Sequence, residues 1–140
     1  MTASTLPQIA AAVRGAWSVE TCDPVDVKEW SAENPARGQC GVTTLVLHDL
    51  LGGELLVAEV HYADGSLQGY HYWNRLPDGA EIDLTAEQFA TSEIVQEPKI
   101  AVRAAELPTR GVEQYLLLRQ RVNAALAASS ATNAAKTVER

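Results

Sequence analysis

The apolar positions in the first third of the chain recur at a helical period and predict two helices. Residues 5–16 carry apolar side chains three and four positions apart, which is typical of one buried helix face, and Thr5 can cap this helix. Residues 40–51 show a second apolar helical pattern. Gly52 and Gly53 end it, because glycine adopts the positive φ of a helix C-terminal cap at little steric cost.

The hydrophobic period changes to two in the middle of the chain, which predicts strands. The segments ELLVAEVHY and LQGYHYWNRL are separated by the turn sequence ADGS, and AEIDL follows after PDG. Three consecutive antiparallel strands are therefore expected. Thr85 and Gln88 then form a capping-box pattern, which predicts a short helix after the third strand, whereas residues 90–107 show little periodicity.

The remaining segments complete a single α+β domain. Residues 18–39 contain two prolines, a glycine and mixed charge, so we expect an ordered loop that carries Trp30. The period of a final amphipathic helix begins at Thr109. We therefore expect one domain over residues 1–128, in which the second helix packs on a short antiparallel sheet between N- and C-terminal helices. A flexible tail is expected over residues 129–140.

Composition and charge limit the classes of partner. At 140 residues and 46% apolar composition, the chain can form one compact core. A net charge of −7 without a Lys/Arg cluster argues against nucleic acid or an anionic membrane, because both need a basic surface. No stretch reaches the roughly 20 apolar residues that span a bilayer, and the N-terminus lacks the basic segment of a signal peptide. We expect a cytoplasmic protein, and nothing in the sequence indicates its oligomeric state.

Cys40 is the first candidate for chemistry, because the polar, turn-forming stretch NPARGQ ends there and the second helix begins. A thiol in the first helical turn faces unpaired backbone N–H groups and the positive end of the helix dipole, which favour thiolate over thiol. The same position also suits a small buried apolar residue. The two cysteines and three histidines show no paired metal-ligand spacing, so no metal or other cofactor is expected.

Three histidines could serve as a base for this thiol. His48 lies on the same helix, roughly 12 Å along the axis from Cys40, and cannot reach it. His61 is expected as a partly exposed residue at a strand end. His71 could be a hydrogen-bonded core histidine or a base shielded from water by aromatic rings. Its neighbours form the densest aromatic cluster of the chain, Tyr70, Tyr72 and Trp73.

The second hairpin supplies a carboxylate for His71. If residues 77–79 form a three-residue loop with a glycine in the left-handed conformation, Leu76 pairs with Ala80. This register places His71 and Asp83 on one face as diagonal neighbours, with Cβ atoms about 7 Å apart. A hydrogen bond can close that distance. Asp83 is therefore predicted to orient His71.

Three further residues, Trp73, Glu81 and Thr85, share this face of the predicted hairpin, and Thr85 is expected opposite His71. Glu81 lies nearer the turn and opposite Arg75, so we expect a solvated ion pair of little energetic weight. Trp73 lies beside His71 and is taken as a substrate-binding residue.

Two resemblances follow from these motifs. The combination of GQC at a helix start, HYW on a strand and EIDLT after it resembles the Cys–His–Asp core of the transglutaminase-like branch of the papain-like superfamily. More closely, NPARGQC with HYWNRLPDGAEIDLTAEQF resembles the YunG-like family of small bacterial proteins, over roughly residues 9–125. The resemblance implies a small papain- or transglutaminase-like core, with Cys40 as nucleophile, His71 as base and Asp83 as orienting residue. It implies no substrate.

The oxyanion hole departs from the papain-like pattern. Those proteases place a glutamine several residues before the cysteine, whereas here Asn34 has that spacing and Gln39 is adjacent. The backbone N–H of Cys40 is expected as one donor. The side chain of Asn34, Gln39 or Trp30 is the candidate for the second donor.

These residues predict a thiol-dependent acyl-transfer enzyme that forms a thioester from an amide, ester or thioester. The chain is too short for an extended peptide groove, so a small molecule, a single side chain or a chain end is the expected substrate. Hydrolysis and transfer both remain open. The alternative is a non-catalytic binding module on the same fold that docks through its aromatic strand. A redox role for Cys22 and Cys40 is disfavoured, because acidic residues flank Cys22.

Overall fold

A computed structural model of the chain describes residues 4–138, with side chains described for residues 4–129. It is an α+β structure of three helices and a curled antiparallel sheet. The helices are α1 (Leu6–Ala16), α2 (Cys40–Leu51) and α3 (Val112–Val138). The strands are β1 (Glu54–Tyr62), β2 (Leu67–Arg75), β3 (Glu81–Ile82), β4 (Glu93–Val95) and β5 (Lys99–Ala101). Short 3₁₀ turns lie at Val19–Thr21, Pro24–Asp26 and Ala86–Gln88.

A capping residue fixes the start of α1, and a glycine fixes the end of α2. Thr5 caps α1 in a reciprocal capping box with Gln8, which satisfies backbone donors of the first turn. Gly52 ends α2 at a φ of 71°, and its N–H donates to the carbonyl of His48. The following residue, Gly53, has a φ of 83°, and a Cβ there would lie 2.2 Å from the Arg75 carbonyl oxygen. Glycine is therefore required where α2 turns into β1.

The hydrophobic core joins the three helices to the segment after β3. One face of each helix is buried in it, together with Trp17, Ala36 and Leu84. The Trp17 indole donates to the hydroxyl of Thr43, which ties the end of α1 to α2. Burial of these apolar side chains is the main stabilising contribution. The helical members are Ile9, Val13, Ala16, Val42, Val46, Leu47, Tyr115, Leu118 and Val122.

The sheet is arranged around β1. Its order is β3–β2–β1–β4, and β5 also pairs with β1. The register of β1 and β2 sets Ala58 opposite His71 and Leu56 opposite Trp73. The buried Asn74 of β2 donates to the carbonyl of Thr44, so α2 is fixed against the sheet. The helix that begins at Cys40 is thereby held beside the strand that carries His71.

The β2–β3 hairpin has the predicted register. Leu76 N–H donates to the carbonyl of Ala80 at 2.7 Å, and Gly79 has a φ of 92°. Asn74 pairs with Ile82, and the expected three-residue loop is confirmed. The third strand is shorter than expected, because it ends at Ile82 and Asp83 lies just beyond it.

Two segments in the second half of the chain have secondary structure that the sequence pattern did not show. Residues 90–107 contain the strands β4 and β5, which lack a readable period because each has only three residues. The final helix begins at Val112 and continues to Val138, through most of the segment expected as a tail. Residues 139 and 140 lie outside the described residues. Within the described residues, none of the helices has the length and apolar character needed to span a bilayer.

Candidate active site

Cys40 is the first residue of α2, as predicted. The preceding Gln39 makes no capping hydrogen bond with its side chain, and Thr43 N–H donates to its carbonyl oxygen. The Gln39 side chain therefore does not cap the first N–H groups of α2. Cys40 is a free thiol of intermediate exposure, so a reagent can approach it from solvent. The positive end of the α2 dipole lies beside the thiol.

His71 is buried in β2, with 1% of its surface exposed, and is bound to a carboxylate. Its Nε2 lies 2.6 Å from Oδ2 of Asp83. Because an ionised carboxylate can only accept, this nitrogen donates. The other oxygen, Oδ1, accepts hydrogen bonds from the backbone N–H of Thr85 at 3.2 Å and from its hydroxyl at 3.4 Å. One oxygen of Asp83 is thus fixed by Thr85, while the other oxygen orients the His71 ring.

The second ring nitrogen of His71, Nδ1, has a different environment from Nε2. It is buried and makes no well-formed hydrogen bond with any described residue. Burial alone lowers the pKa of His71, but the hydrogen bond to Asp83 and the interaction with the nearby Cys40 thiol outweigh it and raise that pKa to about 9. A pKa of about 9 favours the charged form of the ring at neutral pH, with Asp83 bound to Nε2.

Two aromatic rings enclose His71, and only one of them was expected. Trp73 stacks on the imidazole with centroids 5.3 Å apart. Phe89 contacts it edge-on at 4.8 Å. Tyr70 and Tyr72 do not form the expected shield, because they point away from His71 by strand alternation and are 57% and 36% exposed. The missed ring, Phe89, directly follows the short 3₁₀ turn Ala86–Gln88, and no pattern in the sequence links it to β2.

Glu81 binds two groups near the hairpin end. Its Oε2 lies 3.7 Å from the Arg75 guanidinium, which is the exposed ion pair that the register predicts. Its Oε1 also accepts a hydrogen bond from the Trp73 indole at 2.8 Å. Glu81 therefore positions the ring that stacks on His71, whereas Asp83 contacts His71 itself.

The three candidates for the second oxyanion donor each bind a main-chain carbonyl. Gln39 is fully buried, and its amide donates to Ser18 at 3.0 Å while accepting from the Thr21 hydroxyl at 2.8 Å. Asn34 Nδ2 donates to the carbonyl of Gln88 at 3.1 Å. The Trp30 indole donates to Pro35 at 3.1 Å. All three side chains order the loop before Cys40, and the backbone N–H groups at the start of α2 are the donors closest to the thiol in sequence.

Arg37 and Gln88 join the loop before Cys40 to the segment after Asp83. The carbonyl of Gln88 accepts from Asn34 and, at 3.5 Å, from Arg37. The Gln88 side-chain oxygen accepts from the Gly38 N–H at 3.2 Å. The predicted capping box of Gln88 with Thr85 is absent, because its side chain makes this long-range contact instead. No local pattern could have shown it.

The other thiol and histidines have separate environments. Burial first, and then the carboxylates of Asp26 and Asp23, raise the pKa of Cys22 to about 12. The ring of His48 accepts from Arg103 at 2.9 Å. The half-buried His61 lies at the end of β1, as expected, and binds Glu59 at 2.9 Å. Among the described residues, no group of three or more Cys, His, Asp or Glu side chains could hold a metal ion.

Comparison with known proteins identifies the family. The family model described as YunG protein matches residues 5–127. A curated relative, described as uncharacterized protein YunG of Bacillus subtilis (strain 168), is 35% identical over 92 residues, which is 66% of this chain and 73% of that protein. No solved structure matches the chain. The chain therefore belongs to the YunG family.

Proposed function

We propose that this YunG-family protein is a thiol-dependent acyl-transfer enzyme in which Cys40, His71 and Asp83 form a catalytic triad. One observation carries the proposal: a buried histidine has one nitrogen bound to a carboxylate, while its ring interacts with a thiol at an uncapped helix N-terminus. Nucleophile, base and orienting group are the three parts that acyl transfer through a thiol requires. The transglutaminase-like form of the papain-like core is part of this proposal.

In the proposed reaction the thiol proton of Cys40 has passed to Nδ1 of His71, and the Cys40 sulfur attacks the acyl carbon of the substrate. The carbon–sulfur bond forms, and the carbonyl oxygen becomes an oxyanion that the free N–H groups at the start of α2 stabilise. The bond to the leaving group then breaks, and the leaving group takes a proton from Nδ1 of His71. The product of this half-reaction is a thioester on Cys40.

The second half-reaction restores the thiol. His71, now neutral, accepts a proton from water or an amine as that nucleophile attacks the thioester. Cys40 leaves as thiolate, and its sulfur interacts again with the protonated imidazole. Asp83 keeps Nε2 protonated throughout, so that Nδ1 is always the nitrogen that exchanges the proton. Water gives hydrolysis, and an amine gives transfer.

We propose that the substrate is a small molecule, a single side chain or a chain end, and that the protein acts in the cytoplasm. Both cysteines are free thiols, which fits a reducing compartment.

A panel of acyl donors tests the proposal directly. Activated esters, thioesters and amides are incubated with the protein, and adducts are followed by intact mass and located by peptide mapping. We expect an acyl adduct on Cys40 that decays in water, and none in Cys40→Ala. Acylation that persists in Cys40→Ala, or that maps to Cys22, would overturn the assignment.

One observation favours a second function, a binding module that docks through β2. Tyr70 and Tyr72 are exposed on the face of the strand away from His71. Exposed tyrosines are frequent in protein interfaces. This function predicts a slow thiol at Cys40 and loss of partner binding in Tyr70→Ala, with no effect of Cys40→Ala.

A further inference from the structure

Tyr72 of β2 has a hydroxyl that makes no hydrogen bond with any described residue. A free donor matters here, because an oxyanion hole usually combines two preorganised donors. The backbone N–H at the start of α2 supplies one of them. The side chains considered for the second, Asn34, Gln39 and Trp30, are each engaged with a main-chain carbonyl. The Tyr72 hydroxyl is not engaged, so its position relative to Cys40 decides whether it can take this role.

The contacts between α2 and β2 keep the order of both segments. Just after the helix, a Cβ on Gly53 would lie 2.2 Å from the carbonyl oxygen of Arg75. Closer to the start of the helix, the carbonyl of Thr44 accepts from the Asn74 side chain at 3.1 Å. Earlier positions on the helix thus contact earlier positions on the strand. The first residue of α2 lies about one turn before Thr44, and so beside the part of β2 that precedes Asn74.

Tyr72 projects from that part of β2 toward the side of the sheet on which α2 lies. Side chains two positions apart in a strand share a face, and the pairing of β1 with β2 is regular between Tyr72 and Asn74. Since the Asn74 side chain contacts α2, the Tyr72 side chain points to the same side. Tyr72 is 36% exposed, so a substrate can approach it from solvent.

A second set of contacts places Tyr72 beside the loop that leads to Cys40. Arg110 Nη2 binds both carboxylate oxygens of Asp23, at 3.0 and 3.1 Å, and the Asp23 N–H donates to the carbonyl of Gly38. Burial and then the Cys40 sulfur raise the pKa of Tyr72, and Arg110 opposes them. Both groups therefore lie close enough to act on the Tyr72 hydroxyl. A raised pKa keeps this hydroxyl protonated at neutral pH, as a hydrogen-bond donor must be.

We propose that the Tyr72 hydroxyl donates the second hydrogen bond to the oxyanion that forms when Cys40 attacks an acyl carbon. The backbone N–H at the start of α2 and the Tyr72 hydroxyl then bind one oxygen, whose negative charge develops during the attack. The inference rests on the proposed function, because an oxyanion forms only in acyl transfer. It makes Tyr72 a residue that contacts the reacting atoms.

Tyr72→Phe tests this role, because it removes the hydroxyl and keeps the ring. Acylation of Cys40 by p-nitrophenyl acetate is followed by nitrophenolate release and by intact mass, and alkylation by iodoacetamide is measured on the same samples. Acylation should slow by a factor of about 10², the usual cost of one lost oxyanion donor. Alkylation should keep its rate, since displacement of iodide from a saturated carbon forms no oxyanion.

Tyr62→Phe is the matched control. It removes the hydroxyl of another exposed tyrosine, at the end of β1 and five positions beyond Val57, the partner of Tyr72, which is roughly 17 Å along the strand. Both rates should be those of wild type. Equal acylation rates in Tyr62→Phe and Tyr72→Phe would overturn the inference. An equal fall of acylation and alkylation in Tyr72→Phe would also overturn it, because the hydroxyl would then act on the thiol.

The wild-type reaction separates this inference from the proposed function. If wild-type Cys40 is acylated and Tyr72→Phe reacts as fast, the inference fails and the triad stands. If wild-type Cys40 is not acylated, the proposed function fails and the inference fails with it.

The position of Tyr72 has a test that does not depend on acylation. NMR titration of the ¹³C-labelled tyrosine ring should give a lower pKa for Tyr72 in Cys40→Ala and a higher one in Arg110→Gln, because the two groups act on it in opposite directions. A pKa of Tyr72 that is unchanged in both variants would overturn the inference at any rate of acylation.

Discussion

His71 Nε2 and Asp83 Oδ2 lie 2.6 Å apart across the β2–β3 hairpin, although the two residues are twelve positions apart in sequence. The three-residue turn at Gly79 sets this pairing, because it fixes which residues of the two arms are neighbours. Asp83 lies just beyond the short third strand, where Thr85 fixes its second oxygen. The hairpin thus places the Asp83 carboxylate next to the buried ring of His71.

The first prediction concerns the two thiols. Cys40 should be alkylated by iodoacetamide at pH 7 much faster than Cys22, because only Cys40 is accessible and interacts with a charged imidazole. Burial and nearby carboxylates raise the pKa of Cys22 to about 12, so it serves as an internal control. Peptide mapping after timed labelling measures both rates, and equal rates in the folded protein would contradict the nucleophile assignment.

The second prediction compares two carboxylates of the hairpin. Asp83→Asn should slow turnover, or alkylation of Cys40, by a factor of about 10² or more, because the His71 ring loses its orienting acceptor. Glu81→Gln should have a small effect, since it contacts Trp73 and Arg75 and not His71. A larger loss in Glu81→Gln would mean that ring stacking, and not Asp83, controls the histidine.

The third prediction is a dependence of stability on pH. The folded pKa of His71 is raised from 6.5 to about 9, so its contribution to stability is fully present below pH 6.5 and is lost as the pH rises through 9. Wild type should therefore lose more stability than His71→Gln between these pH values. Chemical denaturation at a series of pH values measures the difference, and parallel curves for the two proteins would contradict it.

The same pKa should respond to both neighbours of His71. NMR titration of the ring should give a lower pKa in Asp83→Asn and in Cys40→Ala, because each variant removes an interaction that raises it. His61→Ala is the control and should leave the titration of His71 unchanged. A pKa of His71 that stays constant in Cys40→Ala would show that the thiol and the imidazole do not interact.

The fifth prediction concerns the loop before Cys40. Gly38 has a φ of 73°, and a Cβ there would lie 2.5 Å from the sulfur of Cys22. Gly38→Ala should lower the free energy of unfolding by more than the roughly 1–2 kcal/mol that a left-handed conformation costs an L-residue. Gly65→Ala measures that conformational cost alone, since its φ is 87° and its surroundings are open. Equal losses in the two variants would contradict the steric argument.

The sequence predicted correctly those helix ends and turns that depend on residues close together in the chain. The capping of α1 by Thr5, the end of α2 at Gly52 and the hairpin around Gly79 each depend on residues close in sequence. The pairing of His71 with Asp83 followed, because a known turn length fixes the register. The α+β class and the pairing of His71 with Asp83 were therefore predictable.

Contacts between distant segments could not be predicted in this way. The strands β4 and β5 pair with different parts of β1, and Pro98 lies between them, so neither shows an alternating pattern. Phe89 contacts His71, and Gln88 binds Gly38. The residues of each pair lie in segments that share no hydrophobic pattern, so the sequence does not indicate these contacts. The oxyanion candidates were chosen by spacing from Cys40, which carries no information about the carbonyls that those side chains bind.

A double-mutant cycle on the alkylation rate of Cys40 tests most directly whether the three residues act as one unit. Rates are measured for wild type, His71→Gln, Asp83→Asn and the double variant. If Asp83 acts through His71, Asp83→Asn slows wild type strongly and has almost no further effect in the His71→Gln background. If the two substitutions slow the reaction by independent factors that multiply, or if neither slows it, the triad is contradicted.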